Sequence, residues 1–517
     1  MKNKVYLVTF KPTSHRTAEE NLGLQYLAAV LEKEGYKGEI RDAWLDETLS
    51  QDSIFSEIES EKENILFVAT SSYMLNNKTT CDFISNLSRQ NINVVAGGYG
   101  PTFEPEQFLR SGAGFVVIGE GEETILDIAK FYEEGKIDKT ISGTAYLDEN
   151  SGVKLNSKRQ IQTSLDDLPL PKRPYIKTIQ ARRSTVNVLT SRGCNGVCKF
   201  CSICAFLTKQ NSKRWRCRSI DSIILELKHL KEQGCRTIKF IDDSFIEEER
   251  DETWCENFLK ATKESGLDLQ YRGSIRADKV NAKSMKFLRQ AGFFSFSCGI
   301  ENGSKTALKR MGKLASLEDN KKALKIFKKN KFFIQAGFIL FDNKTTIQEL
   351  EENYKFLKSH NWVVSKGIFS EMFAAVGTPF TKSLSTSGET YFSNNIYQVE
   401  DEDARKCYNI LKKWQAHHSE IYDMVIDPVS APKDINKKEM KKYCRLMIQM
   451  KKVDLKFMKE TLRCIKAQKS LDELFFAFEN KYKIFFQNIE KKAKEYYKKD
   501  NLVYDGNING FLKNNIQ

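Results

Sequence analysis

Four cysteines fall within eleven residues of this 517-residue chain, in the stretch "LTSRGCNGVCKFCSIC" from Leu189 to Cys204. Cys194, Cys198 and Cys201 have the spacing C-x3-C-x2-C. Three thiolates on one short loop can hold three irons of a [4Fe–4S] cluster and leave the fourth iron open to a substrate or cofactor. A closed zinc site wants four ligands, commonly as two separated pairs, whereas this loop is one group with no histidine near it in sequence. Cys204 keeps a second arrangement open, in which it closes the cluster and makes an electron-transfer centre. Cys217, Cys235, Cys255 and Cys298 read as buried structural thiols. The start "MKNKVYLVTFKPTSHR" carries no signal-peptide core. A cytoplasmic setting is therefore expected, where clustered thiols serve as metal ligands rather than disulfides.

Such a loop needs rigid elements to carry it. "TVNVLTSRGC" (185–194) reads as a strand running into the cysteine loop. Helix "SIDSIILELKHLKEQG", strand "RTIKFIDDSF" and further alternations follow, to the strand "VVSKGIFSEMFAA". That makes about six β/α units, a partial (β/α)6 TIM-like barrel, in which active residues sit after the strands. Upstream, "KVYLVTF" (4–10), "GEIRDAW" (38–44), "NILFVATSSYM" (64–74), "INVVAGGYG" (92–100) and "GFVVIGEGEE" (114–123) read as strands separated by helical stretches. This alternation predicts an α/β, doubly wound, Rossmann-like parallel sheet that binds ligands at the carboxyl ends of its strands. "LDDLPLPKRPY" (165–175) holds three of the nine prolines and reads as a stiff linker. The expected organisation is a front domain over 1–150, a linker over 151–184, a barrel over 185–380 and a helical, lysine-rich region over 381–517.

Phe200 precedes the third cysteine, and C-x3-C-x2-C with an aromatic there, opening a β/α barrel, resembles the signature of the radical S-adenosylmethionine (SAM) enzymes. "KRWRCRSIDSIILELKHL", "KFIDDSFIEE", "GIENGSKTALKRMGK" and "VGTPF" look like later segments of that superfamily. "NLGLQYLAAVLEKEGY", "VVAGGYGPTFEPEQFL" and "FVVIGEGEET" resemble the cobalamin-binding domain fused to one branch of it. Together they cover roughly residues 1–380. The resemblance implies a [4Fe–4S] cluster on Cys194, Cys198 and Cys201, reductive cleavage of SAM to a 5′-deoxyadenosyl radical, and a low-potential electron donor such as flavodoxin or ferredoxin. It implies SAM contacts by the backbone of Phe200 and by Asp242, Asp243, Arg276 and Glu301, although acidic residues at strand-to-helix turns also serve as helix caps. It implies cobalamin contacts at Ser71, Ser72, Gly97, Gly98, Thr102, Glu120, Gly121 and Glu122. Families that ligate cobalt through histidine carry D-x-H-x-x-G after the first strand. Here "TSHRTA" lacks the Asp and Gly, and His15 reads as a surface-loop residue.

The commonest outcome in that branch is methylation of an unactivated carbon in a small-molecule or peptide substrate. Ring closure or rearrangement without methyl transfer is the alternative, and a non-catalytic iron–sulfur carrier is the remote one. The net charge of +14 suggests nucleic acid, but from Lys433 to Gln517 there are 21 Lys and Arg against 11 Asp and Glu. The excess thus lies mostly in the tail and reads as a solvated helical face rather than a nucleic-acid site. "KKWQAHHSEIYDMVIDP" and "YCRLMIQMKKVDLKFMKETLRCIKA" read as amphipathic helices with aromatics and methionines turned to a core. No apolar run is long enough to span a membrane.

Overall fold

The computed structural model describes residues 3–12, 20–161, 164–365, 368–384, 397–430 and 433–502. The chain divides into two compact units. One comprises Met1–Ala181, Ser202–Ser222 and Val376–Thr378, the other Arg182–Cys201, Ile223–Ala375 and Pro379–Gln517.

The first unit is built on a seven-stranded sheet of β1 (Lys4–Thr9), β2 (Lys37–Asp42), β3 (Ile65–Ser71), β4 (Val94–Gly97), β5 (Phe115–Val117), β6 (Thr144–Leu147) and β7 (Val153–Leu155). Its order is β2-β1-β3-β4-β5-β6-β7, parallel through β5 and antiparallel for the last two pairings. The parallel part is wrapped on both faces. On β1, Tyr6 and Val8 join one core with Ile54, Phe83 and Leu87. Val5 and Leu7, pointing the other way, join a second core with Leu24, Leu31 and Ile128. A strand buried on both faces reads as an unbroken apolar run, as "KVYLVT" does. The register sets Thr9 opposite Asp42 and Ser71, and Ser71 opposite Gly97, so four strand ends come level at one edge. The proline stretch is anchored on this unit. Lys172 donates its backbone N–H to Gln25 O at 3.1 Å, and Arg173 pairs with Glu20 at 2.8 Å, both side chains buried.

The second unit begins with β8 (Val186–Val188) and the short β9 (Ser191–Gly193), which leads into the cysteine loop. After β10 (Trp215–Cys217), part of the first unit, come β11 (Thr237–Phe240), β12 (Gln270–Arg276), β13 (Phe293–Glu301), β14 (Phe333–Phe338) and β15 (Val364–Ser365). They form an open six-stranded parallel sheet in the order β15-β14-β13-β12-β11-β8. Six strands in sequential order with intervening helices are the expected partial barrel. Its core is aromatic: Phe240, Tyr271 and Phe293 lie 5.3–5.4 Å apart by ring centroid, and Phe293 stacks on Phe296 at 5.1 Å.

Helices Glu402–His417, Ser419–Ser430, Lys437–Lys466 and Leu471–Lys499 complete this unit. Trp414 is fully buried, stacks on Phe457 at 4.5 Å and donates its indole N–H to Asp454 at 3.1 Å. Met440, Tyr443, Met450 and Met458 are buried with them, so the aromatic and Met stripe is core and the lysines form the outer face. Lys451, on the third of these helices, is buried. Its ammonium donates to the backbone carbonyls of Val363 and His360, at 2.9 and 3.3 Å, and ties the helices to the barrel. Among the described residues no helix is long and apolar enough to cross a membrane.

Candidate active site

In the second unit Cys194, Cys198 and Cys201 lie on the loop after β9, all half-buried. All twelve cysteines are described and all are thiols. Gly196 stands between two of the sulfurs. Its N–H donates to Cys194 Sγ at 3.3 Å, and a Cβ there would lie 3.2 Å from Cys194 Sγ and 3.9 Å from Cys198 Sγ. Cys201 N–H donates to Cys198 O at 3.2 Å and closes the turn. Among the described residues no three His, Cys, Asp or Glu side chains converge tightly enough for a single metal ion. The loop wraps its thiols around a backbone cradle instead, and three thiols on one loop are the donor set of an open [4Fe–4S] cluster. Burial pushes the Cys194 thiol up to about 11 and raises that of Cys198. Cluster loading therefore has to release protons from these thiols.

Two later segments clamp the loop through its main chain. Lys199 N–H donates to Met311 O, and Lys199 O accepts from Phe380 N–H, both at 2.9 Å. The Phe200 ring packs on Ala307, Met311, Met372 and Phe380. Met311 and Phe380 thus brace the loop, a role their composition alone did not reveal.

The paired aspartates after β11 have separate fates. Asp242 is fully buried. Its carboxylate accepts from Thr190 N–H at 2.7 Å, from the Thr190 hydroxyl, from Ser191 Oγ at 2.8 Å and from Arg250 at 3.3 Å. Arg250 in turn lies over Trp254 and Phe245. Protein donors thus surround both oxygens of Asp242, and a SAM contact there would have to share them. Asp243 accepts a hydrogen bond from Gly193 N–H at 3.0 Å, beside the loop. Burial pushes it up to about 7, although that N–H works the other way.

Arg276, at the end of β12, sits beside the first cysteine but is paired. It donates to Glu247 at 3.1 Å and to Asp278 at 2.5 Å. Glu247, which the sequence reading missed, is buried, lies 3.7 Å from Cys194 Sγ and also faces Lys279 at 3.7 Å. The expected SAM-carboxylate pairing would have to displace one of these carboxylates from Arg276. Glu301 ends β13 at a φ of +62°, a left-handed conformation rare outside glycine. Gly299 and Gly337 make room for its carboxylate, since Cβ atoms there would come within 2.5 and 3.1 Å of its oxygens. Lys313 Nζ lies 3.5 Å from it.

The first unit carries a cavity of about 140 Å³ at the level strand ends. Leu24, Leu27, Val95, Val117 and Ile125 form its apolar wall, and Ser71, Gly97, Gly98, Gly121 and Glu122 its rim. Those five rim residues were expected from the sequence. The other three are not in it. Ser72 bonds Asn76 and Asn77 at 2.9 and 2.8 Å, and Thr102 Oγ1 accepts from Gly119 N–H at 3.2 Å. Glu120 accepts from Gln210 at 2.7 Å and pairs with Arg216. These residues shape the loops around the cavity. His15 lies outside the described residues. An apolar slot of this size with a glycine-rich mouth suits a flat aromatic group attached to a polar one, as the base of a corrinoid's nucleotide tail is. Cys235, Cys255 and Cys298 are buried and Cys217 half-buried.

The fold and both sites define a two-part α/β enzyme: a doubly wound cofactor-binding sheet and a partial barrel that opens on a three-cysteine loop. Residues 14–129 match the B12 binding domain and residues 188–357 the Radical SAM superfamily. The chain is similar to the uncharacterized methyltransferase PH0819 of Pyrococcus horikoshii, 30% identical over 348 residues, or 65% of this chain and 72% of that one. The structure of the cobalamin-dependent S-adenosylmethionine radical enzyme OxsB, with aqua-cobalamin and S-adenosylmethionine bound, superposes with a TM-score of 0.79 at 17% identity, over 99% of this chain and 83% of the other. The radical S-adenosylmethionine methyltransferase TsrM of Kitasatospora setae gives 0.62 at 16% identity, over 72% and 74%. The chain belongs to the cobalamin-binding radical SAM enzymes, whose cofactors are a [4Fe–4S] cluster, SAM and cobalamin.

Proposed function

We propose that this enzyme methylates an unactivated carbon of a small-molecule or peptide substrate. The observation that carries the reading is the presence on one chain of both cofactor cradles, the Gly196-centred cysteine loop and the glycine-rimmed cavity. When bound, the cluster supplies the electron that cleaves SAM, and the corrinoid supplies a transferable methyl group. The chain's own residues do the rest. Cys194, Cys198 and Cys201 hold the cluster and leave one iron for SAM. Asp243 accepts from the SAM ammonium, Glu301 accepts from ribose hydroxyls, and the main chain at Phe200 faces the adenine. Ser71, Gly97, Gly98, Gly121 and Glu122 seat the corrinoid edge, and the Leu24–Ile125 wall takes its apolar part away from water. A low-potential flavodoxin or ferredoxin in the cytoplasm would deliver the electron.

The test is anaerobic reconstitution with iron, sulfide and hydroxocobalamin, followed by desalting and assay. About four irons and about one corrinoid per chain are expected, with methylated product from a substrate screen. Four irons without corrinoid would overturn methyl transfer in favour of hydrogen abstraction and ring closure. No iron would overturn the cluster assignment.

A further inference from the structure

Charged side chains crowd the cysteine loop, and most of the positive ones are already shared. Arg276 is divided between Glu247 and Asp278, and Lys279 faces Glu247. Lys313 is different. Its side chain is only 6% exposed, and its ammonium stands 3.5 Å from Glu301. A Cβ on Gly299 would lie 3.2 Å from that ammonium, so the β13 glycine makes room for it as well as for the carboxylate.

The lysine is delivered by a turn fastened to the cysteine loop itself. Met311 O accepts from Lys199 N–H at 2.9 Å. Gly312 follows at a φ of +69°, and a Cβ there would come 3.1 Å from Val197 O and 3.2 Å from Lys199 Cγ. A side chain at 312 would strain both the backbone and the loop, which fixes where residue 313 emerges. Burying a cation is costly unless an anion faces it, and Glu301 is the anion that faces Lys313.

We infer that Lys313 is a positioning residue of the reaction, a fixed cation that holds Glu301 and offsets the negative charge of the cluster, raising its reduction potential. The inference rests on the assignment of the cluster to Cys194, Cys198 and Cys201. A nearby cation stabilises the more negative, reduced state, and the low dielectric of the site strengthens that effect.

The experiment is a redox titration of the reconstituted full-length enzyme, followed by electron paramagnetic resonance, without SAM or substrate. Lys313→Met should titrate at a lower potential than the wild type and Lys313→Arg close to it. Lys321→Met, which removes an exposed lysine paired with Glu318, should not move. A Lys313→Met enzyme with full iron and an unchanged potential would overturn the inference. If that variant loses iron, Lys313→Gln decides: a lowered potential beside an unshifted Lys313→Arg supports it, and equal potentials overturn it. A wild type without iron would overturn the cluster assignment itself, and this inference with it.

Discussion

The cysteine loop and the front cavity are built by opposite means. The loop is a cradle of thiols and buried charge, with Glu247, Arg276, Asp243, Glu301 and Lys313 around it. The cavity is aliphatic, rimmed by glycines and the Ser71 hydroxyl, with Glu122 as its one ionisable lining residue among the described residues. A cluster bonded to sulfur requires charge to be managed, because each electron changes the charge of a buried site. An aliphatic cavity contributes mainly by removing apolar surface from water. One chain thus carries an electrostatic site and a steric one.

The largest expected effect breaks the first side of that contrast alone. Cys198→Ala should lose the cluster absorbance and all SAM cleavage while retaining corrinoid, by iron and cobalt assay of the same sample. Cys204→Ala should keep both, and its loss of cluster would instead make Cys204 a ligand. The aspartates test whether charge near the loop serves fold or cofactor. Asp242→Asn leaves Arg250 buried against a neutral partner and should cost about 3–5 kcal/mol by chemical denaturation. Asp243→Asn should leave stability near wild type and weaken SAM binding about tenfold, or about 1.4 kcal/mol. Equal destabilisation by the two would erase the distinction drawn between them.

The third prediction concerns a buried group of the C-terminal helices. His418 stacks on Phe486 at 3.7 Å, with His417 beside it, and bonds Trp414 O at 3.0 Å. Burial lowers it to about 4. A histidine lowered by folding favours the native state fully above its unfolded value near 6.5. That contribution, about 3 kcal/mol at most, is lost as pH falls from 6.5 toward 4. His418→Gln should flatten the stability of the enzyme across this window, and an unchanged slope would show that the ring is not kept neutral. The smallest effect sharpens the steric side. A Cβ at Gly97 meets only Val117 at 3.7 Å, so Gly97→Val should fill the cavity mouth without unfolding the sheet. Corrinoid retention should fall about tenfold, about 1.4 kcal/mol, with iron content unchanged. Retained corrinoid would move its seat away from this cavity.

Local pattern determined a good deal of this protein. The spacing of Cys194, Cys198 and Cys201 depends only on neighbours in sequence, and a three-thiol loop is legible from that alone. The continuous apolar run of β1 and the alternation after Val186 announced a parallel sheet and a six-unit barrel, because periodicity follows from which faces are buried. The five rim residues of the cavity could be read because strand ends are where such sheets bind ligands. Tertiary structure alone decided what adjacent residues do. Asp242 and Asp243 are one position apart, yet one meets Thr190, Ser191 and Arg250 while the other faces the cysteine loop. Glu120 meets Arg216 and Gln210, and Thr102 meets Gly119, partners that the sequence does not announce. Glu247 and Lys313 gave no signal, since an acidic or basic residue in a polar stretch reads as surface. The physical reason is common to all of these: a charged group's role is set by the partner that compensates its burial, and that partner comes from a distant part of the chain.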